Sequence, residues 1–146
     1  MLLRTQQRGF TVIELMVVTV ILAITAGFAV PAFDNFFKTN RMRASEGEIA
    51  TAIQFARAEA VRRGTSIHMS AVNATSNTNE WGPGLRVWLD ADDDDTYDAG
   101  EELRVVGSFH NSMTVDGTNG VSTVIFRPTG LTNLASTLTF TVCDDR

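Results

Sequence analysis

Nineteen consecutive residues, Leu15 to Phe33, carry no charge, and only Thr19 and Thr25 among them are polar. No other feature restricts so strongly what the chain can fold into. At 1.5 Å per residue, a helix of that length spans roughly the 30 Å hydrocarbon core of a bilayer. A buried core helix seldom runs so long without one polar face, so the segment is expected to cross a membrane. A secretory signal peptide is the competing reading, with Arg4 and Arg8 as its positive n-region. The run is longer than such an h-region, and Ala26-Gly27-Phe28-Ala29 offers only weak cleavage candidates. Flanking charge does not orient the span: Arg4, Arg8 and the initiator amine before it are matched by Lys38, Arg41 and Arg43 after it.

The helix is expected to continue past the span, bent or locally opened at Pro31, which lacks an N–H and clashes with the preceding turn. From Asn40 to Arg63 the apolar residues Met42, Ile49, Ile53, Ala56 and Ala60 recur at helical intervals, opposite Arg43, Glu48, Arg57 and Arg62. Gly64 is a natural C-terminal stop. Beyond it the period changes. Candidate strands are Ser66 to Ala71, Leu85 to Leu89, Leu103 to Val106, Met113 to Val115, Thr123 to Phe126 and Thr137 to Cys143. Gly, Asn, Asp and Pro clusters separate them, with Asp116-Gly117 and Asn119-Gly120 as turn signals. At 146 residues there is room for one small domain with its own core. A helix followed by consecutive short strands predicts an α+β fold: a long N-terminal helix, membrane-spanning in its first half, packed on a C-terminal antiparallel β-sheet domain. Trp81, Trp88, Phe109, Phe126 and Phe140 are its expected core or sheet-packing aromatics.

At the front of the apolar run stands a carboxylate, in Arg8-Gly-Phe-Thr-Val-Ile-Glu-Leu-Met-Val-Val18. Gly9-Phe10-Thr11-x-x-Glu14, the apolar run behind it and Pro31 near its far end resemble the N-terminus of type IV prepilins and type II secretion pseudopilins. The resemblance implies cleavage by a prepilin peptidase between Gly9 and Phe10, on the cytoplasmic side, and N-methylation of Phe10. It divides the chain into a leader (1–9), a transmembrane and assembly helix (10–33), an amphipathic continuation (34–64) and a periplasmic β-rich domain (65–146) of a single-pass protein of the bacterial inner membrane. An ionised side chain within a membrane costs a few kcal/mol on insertion scales, so Glu14 is expected to find a partner. The α-amine created at Phe10 of a neighbouring subunit is a positive charge at comparable depth. The plainer reading places Glu14 at the headgroup level.

Three further stretches narrow the resemblance: Gln54-Phe-Ala-Arg-Ala-Glu-Ala-Val-Arg-Arg-Gly64, Trp81-Gly-Pro-Gly-Leu-Arg-Val-Trp-Leu-Asp-Ala91, and Phe126-Arg-Pro-Thr-Gly130 with a closing Thr-Phe-Thr-Val-Cys-Asp. In this order they look like the GspH/FimT-type minor pilins and pseudopilins. Such proteins initiate or cap a pilus or pseudopilus, which implies other pilins, the prepilin peptidase and the inner membrane as partners. Many relatives carry a cysteine in the strand after the helix, where this chain has Met69, so Cys143 has no intrachain partner. Some FimT-type relatives bind DNA through a basic C-terminal tail, but this sequence reads Cys143-Asp-Asp-Arg146 there.

Charge argues the same way. The formal total is −5, yet Asp90 to Glu102 holds eight acids and no base, leaving +3 for everything else. Phosphate binding needs clustered Lys and Arg. Arg57, Arg62 and Arg63 form the best basic cluster, and helix-end arginines more often complement the C-terminal dipole or pair with neighbouring acids. Nucleic acid is therefore not the expected partner. Nor is catalysis expected: His68 and His110 lack Cys or His at metal-ligand spacing, and the chain has no Gly-x-Ser-x-Gly elbow or Walker-type glycine loop.

The acidic stretch itself is the one candidate metal site. Counted from Asp90, carboxylates fall at positions 1, 3, 5, 9 and 12 of a twelve-residue calcium loop, supplied by Asp90, Asp92, Asp94, Asp98 and Glu101, with the Thr96 carbonyl at position 7. Position 6 is Asp95 where the turn wants glycine, and the flanks read as strands rather than the helices of an EF-hand. A solvated strand-to-strand loop is the alternative. Three functions remain open: a minor pilin or pseudopilin, a DNA-binding tip pilin of the same fold, or a secreted calcium-binding β-domain behind a signal sequence.

Overall fold

The computed structural model describes residues 9–74 and 79–144. The expected leader residues 1–8 lie outside the described residues. One helix, α1 (Val12–Arg63), precedes six strands: β1 (Ile67–Ala71), β2 (Leu85–Trp88), β3 (Glu102–Val106), β4 (Met113–Gly117), β5 (Thr123–Phe126) and β6 (Phe140–Asp144). The chain divides into two compact units, the first ending at Lys38 and the second running Thr39–Arg146.

In the first unit α1 begins where Thr11 caps it. The Thr11 hydroxyl accepts a hydrogen bond from the Glu14 backbone N–H at 3.2 Å, satisfying one of the donors that the first turn leaves without a partner. The helix runs through Pro31. Thr19 and Thr25 do not interrupt it, because their hydroxyls donate to helix carbonyls one turn back: Thr19 to Met16 at 2.9 Å, Thr25 to Ile21 and Leu22 at 3.0 Å. The large apolar side chains from Val12 to Val30, and those of Phe33, Phe36 and Phe37, stand exposed.

In the second unit the helix turns a stripe of small residues inward. Ser45, Ile49, Ala52, Ala56 and Ala60 are buried at intervals of three and four residues. Ile53 and Phe55 pack partly buried beside the same core. Gly64 ends the helix with φ +69, a left-handed conformation that an L side chain adopts only with strain, and its N–H bonds the Ala60 carbonyl at 3.0 Å.

The strands form two antiparallel sheets rather than one. The first has the order β3-β2-β1-β5, and the second pairs β4 with β6. In the first, Met69 lies opposite Val87 on one side and Val124 on the other. Its central strand β1 is covered on both faces. Ile67 and Met69 join the core with Trp81, Leu85, Val87, Val115, Val124 and Phe126, while His68 is buried on the alternate face. Of the expected core aromatics, Trp81, Trp88 and Phe126 are buried and Phe109 and Phe140 partly so.

Two sequence expectations are corrected. Asp116-Gly117 is not a turn: both residues belong to β4 and pair with Thr141 and Phe140 of β6. Gly117 is there because a Cβ would come within 2.7 Å of the Val121 carbonyl and 2.8 Å of the Trp81 indole nitrogen. Those two atoms are themselves hydrogen-bonded at 2.8 Å. The last strand is also shorter at its start than Thr137 to Cys143, because pairing with β4 begins at Phe140. Asn119-Gly120 does turn the chain, with φ 62 and 67.

Candidate functional site

Two regions carry the residues singled out by sequence. At the N-terminus Gly9 and Phe10 are exposed and lie just before the Thr11 cap. Thr11 and Glu14 have the spacing of a capping box, Thr at the N-cap and Glu at the third helical position. Glu14 therefore sits at the helix start, where a negative charge also complements the helix dipole. Thr11 was legible from the Thr-x-x-Glu spacing alone. Behind it, Val12, Ile13, Leu15, Met16 and Val17 are each at least half exposed. Water does not tolerate an apolar helix of this length, so its surface requires lipid or neighbouring helices.

The second region is the acidic loop between β2 and β3. It folds back over the sheet face opposite the helix. Tyr97 holds it there, with its ring 4.0 Å beneath the Arg86 guanidinium and edge-on to Trp88 at 5.9 Å. Its hydroxyl donates a short hydrogen bond to Glu102. That bond keeps the Glu102 carboxyl below its ordinary range and raises the Tyr97 hydroxyl.

Within the loop, carboxylates are held by backbone. Asp90 is partly buried, which acts to raise its pKa, but N–H groups of Asp95, Asp94 and Asp93 outweigh that effect and lower it. The bonds from Asp95 and Asp94 are 2.9 and 3.2 Å. Asp94 accepts from the Thr96 N–H at 2.7 Å. Glu101 closes the loop, accepting from the N–H groups of Ala91 at 2.8 Å and Asp98 at 3.0 Å. Asp95 takes φ 59, so an aspartate supplies the left-handed conformation that glycine supplies at the sixth position of a calcium loop.

Of the six expected ligands, the loop brings Asp90, Asp92 and Asp94 together, one oxygen from each lying within 4.8 Å of the others. The crowding shows in Asp92, whose carboxyl is raised chiefly by the charge of Asp94, then by burial and by Asp90. Thr96, Asp98 and Glu101 are not part of that group. A second group was not foreseen in the sequence: His68, Asp90 and Asp95 also lie within 4.8 Å of one another. Their association depends on the loop folding back, for which Tyr97, an aromatic among acids, is the available signal.

Two of the three arginines of the basic cluster are engaged internally. Arg62 and Arg63 both bond Glu59, the latter at 2.5 Å, and Arg62 first, Arg63 second, hold the Glu59 carboxyl down at about 2. His110 bonds Arg41 and Ser112, and Ser112 donates to Asp144 at 2.6 Å, joining the start of the second unit's helix to β6. Cys143 is exposed and free.

Comparison with known proteins places both regions. Residues 47–146 match the family described as type II transport protein GspH, and residues 4–30 match the prokaryotic N-terminal methylation motif. A type IV major fimbrial protein FimA of Dichelobacter nodosus is 36% identical over 55 residues, 36% of this chain and 35% of its own length. Another is 44% identical over 45 residues, covering 31% of this chain and 27% of its own length. The matched stretch thus spans about a third of the length of these curated relatives. Two crystal structures of the Pseudomonas aeruginosa type IV minor pilin FimU share the fold at 24% identity. Their TM-scores are 0.57, over 70% of this chain and 74% of that one, and 0.61, over 75% and 76%.

Proposed function

The chain belongs to the family of type II transport protein GspH, and on that premise we propose that it is a minor pilin or pseudopilin. Its role in this reading is structural rather than catalytic: it initiates or caps a type IV pilus or type II secretion pseudopilus. The observation that carries the reading is the order of parts in one chain. An exposed Gly9-Phe10 pair precedes a Thr11-capped helix, an exposed apolar helical surface follows, and a GspH-type domain completes the order.

In this proposal a prepilin peptidase cuts between Gly9 and Phe10, and Phe10 is then methylated. The helix anchors the protein in the inner membrane with the β-rich domain in the periplasm. Other pilins pack against the exposed apolar surface during assembly. Glu14 meets the α-amine of Phe10 on a neighbouring subunit, which offsets the cost of holding either charge at the membrane edge. Mass spectrometry of protein from the native membrane tests the reading. A mature chain beginning at methylated Phe10 is expected, and Gly9→Val should leave the precursor intact. An uncut N-terminus, or a cut near Ala29, would replace this reading with that of a secreted domain.

Calcium enters as a proposal about the loop. The convergence of Asp90, Asp92 and Asp94 supports a hard cation bound through oxygen. Glu101, the carboxylate expected at position 12, accepts backbone hydrogen bonds from Ala91 and Asp98. Calorimetric titration of the full-length protein with calcium decides it, through a binding heat that Asp92→Asn abolishes.

A further inference from the structure

His68 is the residue that the pilin reading does not use. Its side chain is 4% exposed. Trp88 covers one face of the ring at 4.3 Å. Neither ring nitrogen is hydrogen-bonded to another described residue, and neither is sealed from the recess in front of it. Nε2 faces a recess of about 410 Å³ lined also by Asp90, Asp93 and Asp95. The nearest acidic oxygen, Asp95 Oδ1, stands 3.9 Å away, beyond hydrogen-bonding distance. Asp90 completes a triangle in which every donor lies within 4.8 Å of the others.

We propose that His68 Nε2, Asp90 and Asp95 form a binding site for a divalent transition metal of the zinc class. The donor set makes the selection. Calcium and magnesium take oxygen ligands, whereas imidazole with carboxylates suits zinc and its neighbours. Two ligands of a tetrahedral zinc, at about 2.0–2.2 Å from the ion, lie about 3.4 Å apart. The 3.9 Å between His68 and Asp95 is close to that separation. Asp95 is exposed on a loop, so it can close the remaining distance while His68 and Asp90 stay in place. A water molecule or Asp93 fills the fourth position. Arg127 also lines the recess, but three carboxylates outweigh its charge. The bound ion would tie the β2–β3 loop to β1 across the sheet face that α1 does not cover.

This site differs from the calcium expectation in every donor except Asp90, so the two separate by experiment. The full-length protein in detergent is titrated with Zn2+ by calorimetry and by competition with a chromophoric chelator. One ion per chain is expected, with a rise in melting temperature. Asp95→Asn, at an exposed position where folding is not at risk, should weaken zinc binding at least tenfold, and His68→Gln should do the same. The double variant Asp92→Asn/Asp94→Asn should bind zinc within threefold of the parent. Co2+ should quench Trp88 fluorescence, read in a Trp81→Phe background, and His68→Gln should abolish the quenching. No zinc binding by the parent protein would overturn the proposal. So would zinc affinity that Asp95→Asn or His68→Gln leaves unchanged.

Discussion

Ile21 and Ile49 lie on the same helix, yet Ile21 is 55% exposed and Ile49 4%. The first is surrounded by other large exposed side chains: Val17, Val20, Leu22 and Ile24. The second lies on a stripe with Ala52, Ala56 and Ala60, each fully buried. Large residues on every side suit a helix whose partners come from outside the chain. Small residues on one side suit a helix that a sheet approaches closely from within it. The difference teaches that helix propensity is common to both halves, and that side-chain volume and its distribution around the axis decide what each half meets.

One pair of substitutions can break that comparison. Ile49→Ala should lower the stability of the full-length protein in detergent by about 2–5 kcal/mol, through lost burial and a cavity beside the core. Ile21→Ala, chemically the same change, should leave domain unfolding within about 0.5 kcal/mol of the parent. Fluorescence of the buried Trp81 and Trp88 reports the transition for both. Equal effects would mean that the two halves do not differ as their burial indicates. Gly117→Ala comes next, at about 1–3 kcal/mol, because its Cβ would press on the Val121 carbonyl and the Trp81 indole rather than into open space. Gly47→Ala is the helical control: nothing lies within 4 Å of its added Cβ, and the change should stabilise slightly.

What was legible in the sequence follows from which signals are local. The apolar run, the Gly64 stop and five of the six strand positions rest on hydropathy and period over a few residues, and these match the structure. The pairing of β4 with β6 was not legible, because nothing near Met113 specifies a partner near Cys143. Asp116-Gly117 misleads for a related reason: a glycine required by a turn and a glycine required by a tryptophan 36 positions away in the sequence look alike. In the acidic loop, spacing correctly associated Asp90, Asp92 and Asp94. It could not anticipate that Glu101 would cap the loop's own backbone, or that Tyr97 would lay the loop over His68.

Glu14→Ala sharpens the comparison from the exposed end. Thr11, not Glu14, makes the observed capping bond through its side chain. The substitution should therefore change domain melting negligibly and leave insertion and cleavage intact. Its effect should fall on incorporation into sheared filaments, where the amine of the next subunit loses its counter-ion. Thr11→Val removes the cap instead, costing about 1 kcal/mol of local helix stability at the first turn. If Glu14→Ala recovers in filaments as the parent does, pairing across subunits is excluded.

The smallest effect concerns two carboxyl groups that the domain buries together, Glu80 and Asp116. The hydrogen bond to Glu80, then burial and the Glu80 charge, hold Asp116 above the ordinary carboxylate range. Glu80 moves the opposite way: burial pushes it up, but bonds from its own backbone, Asp116 and Gly117 more than offset this. The opposite shifts make Asp116 the member of the pair that takes up a proton first as pH falls, with Glu80 as its acceptor. A raised folded pKa contributes stability that is complete below the unfolded value, near 3.8 for Asp116, and is lost as pH rises through the folded value. Each residue also has one buried oxygen without a hydrogen bond among the described residues. Asp116→Asn supplies a permanent N–H donor to Glu80 at every pH. The variant should gain about 0.5–1.5 kcal/mol over the parent at neutral pH. That advantage should shrink as pH falls, because Asp116 of the parent then takes up a proton and donates to Glu80 itself. Taking the difference between variant and parent removes the contributions of groups that the substitution does not touch. A difference in melting temperature that stays constant from pH 4 to 8 would show that Asp116 does not take up a proton to donate to Glu80.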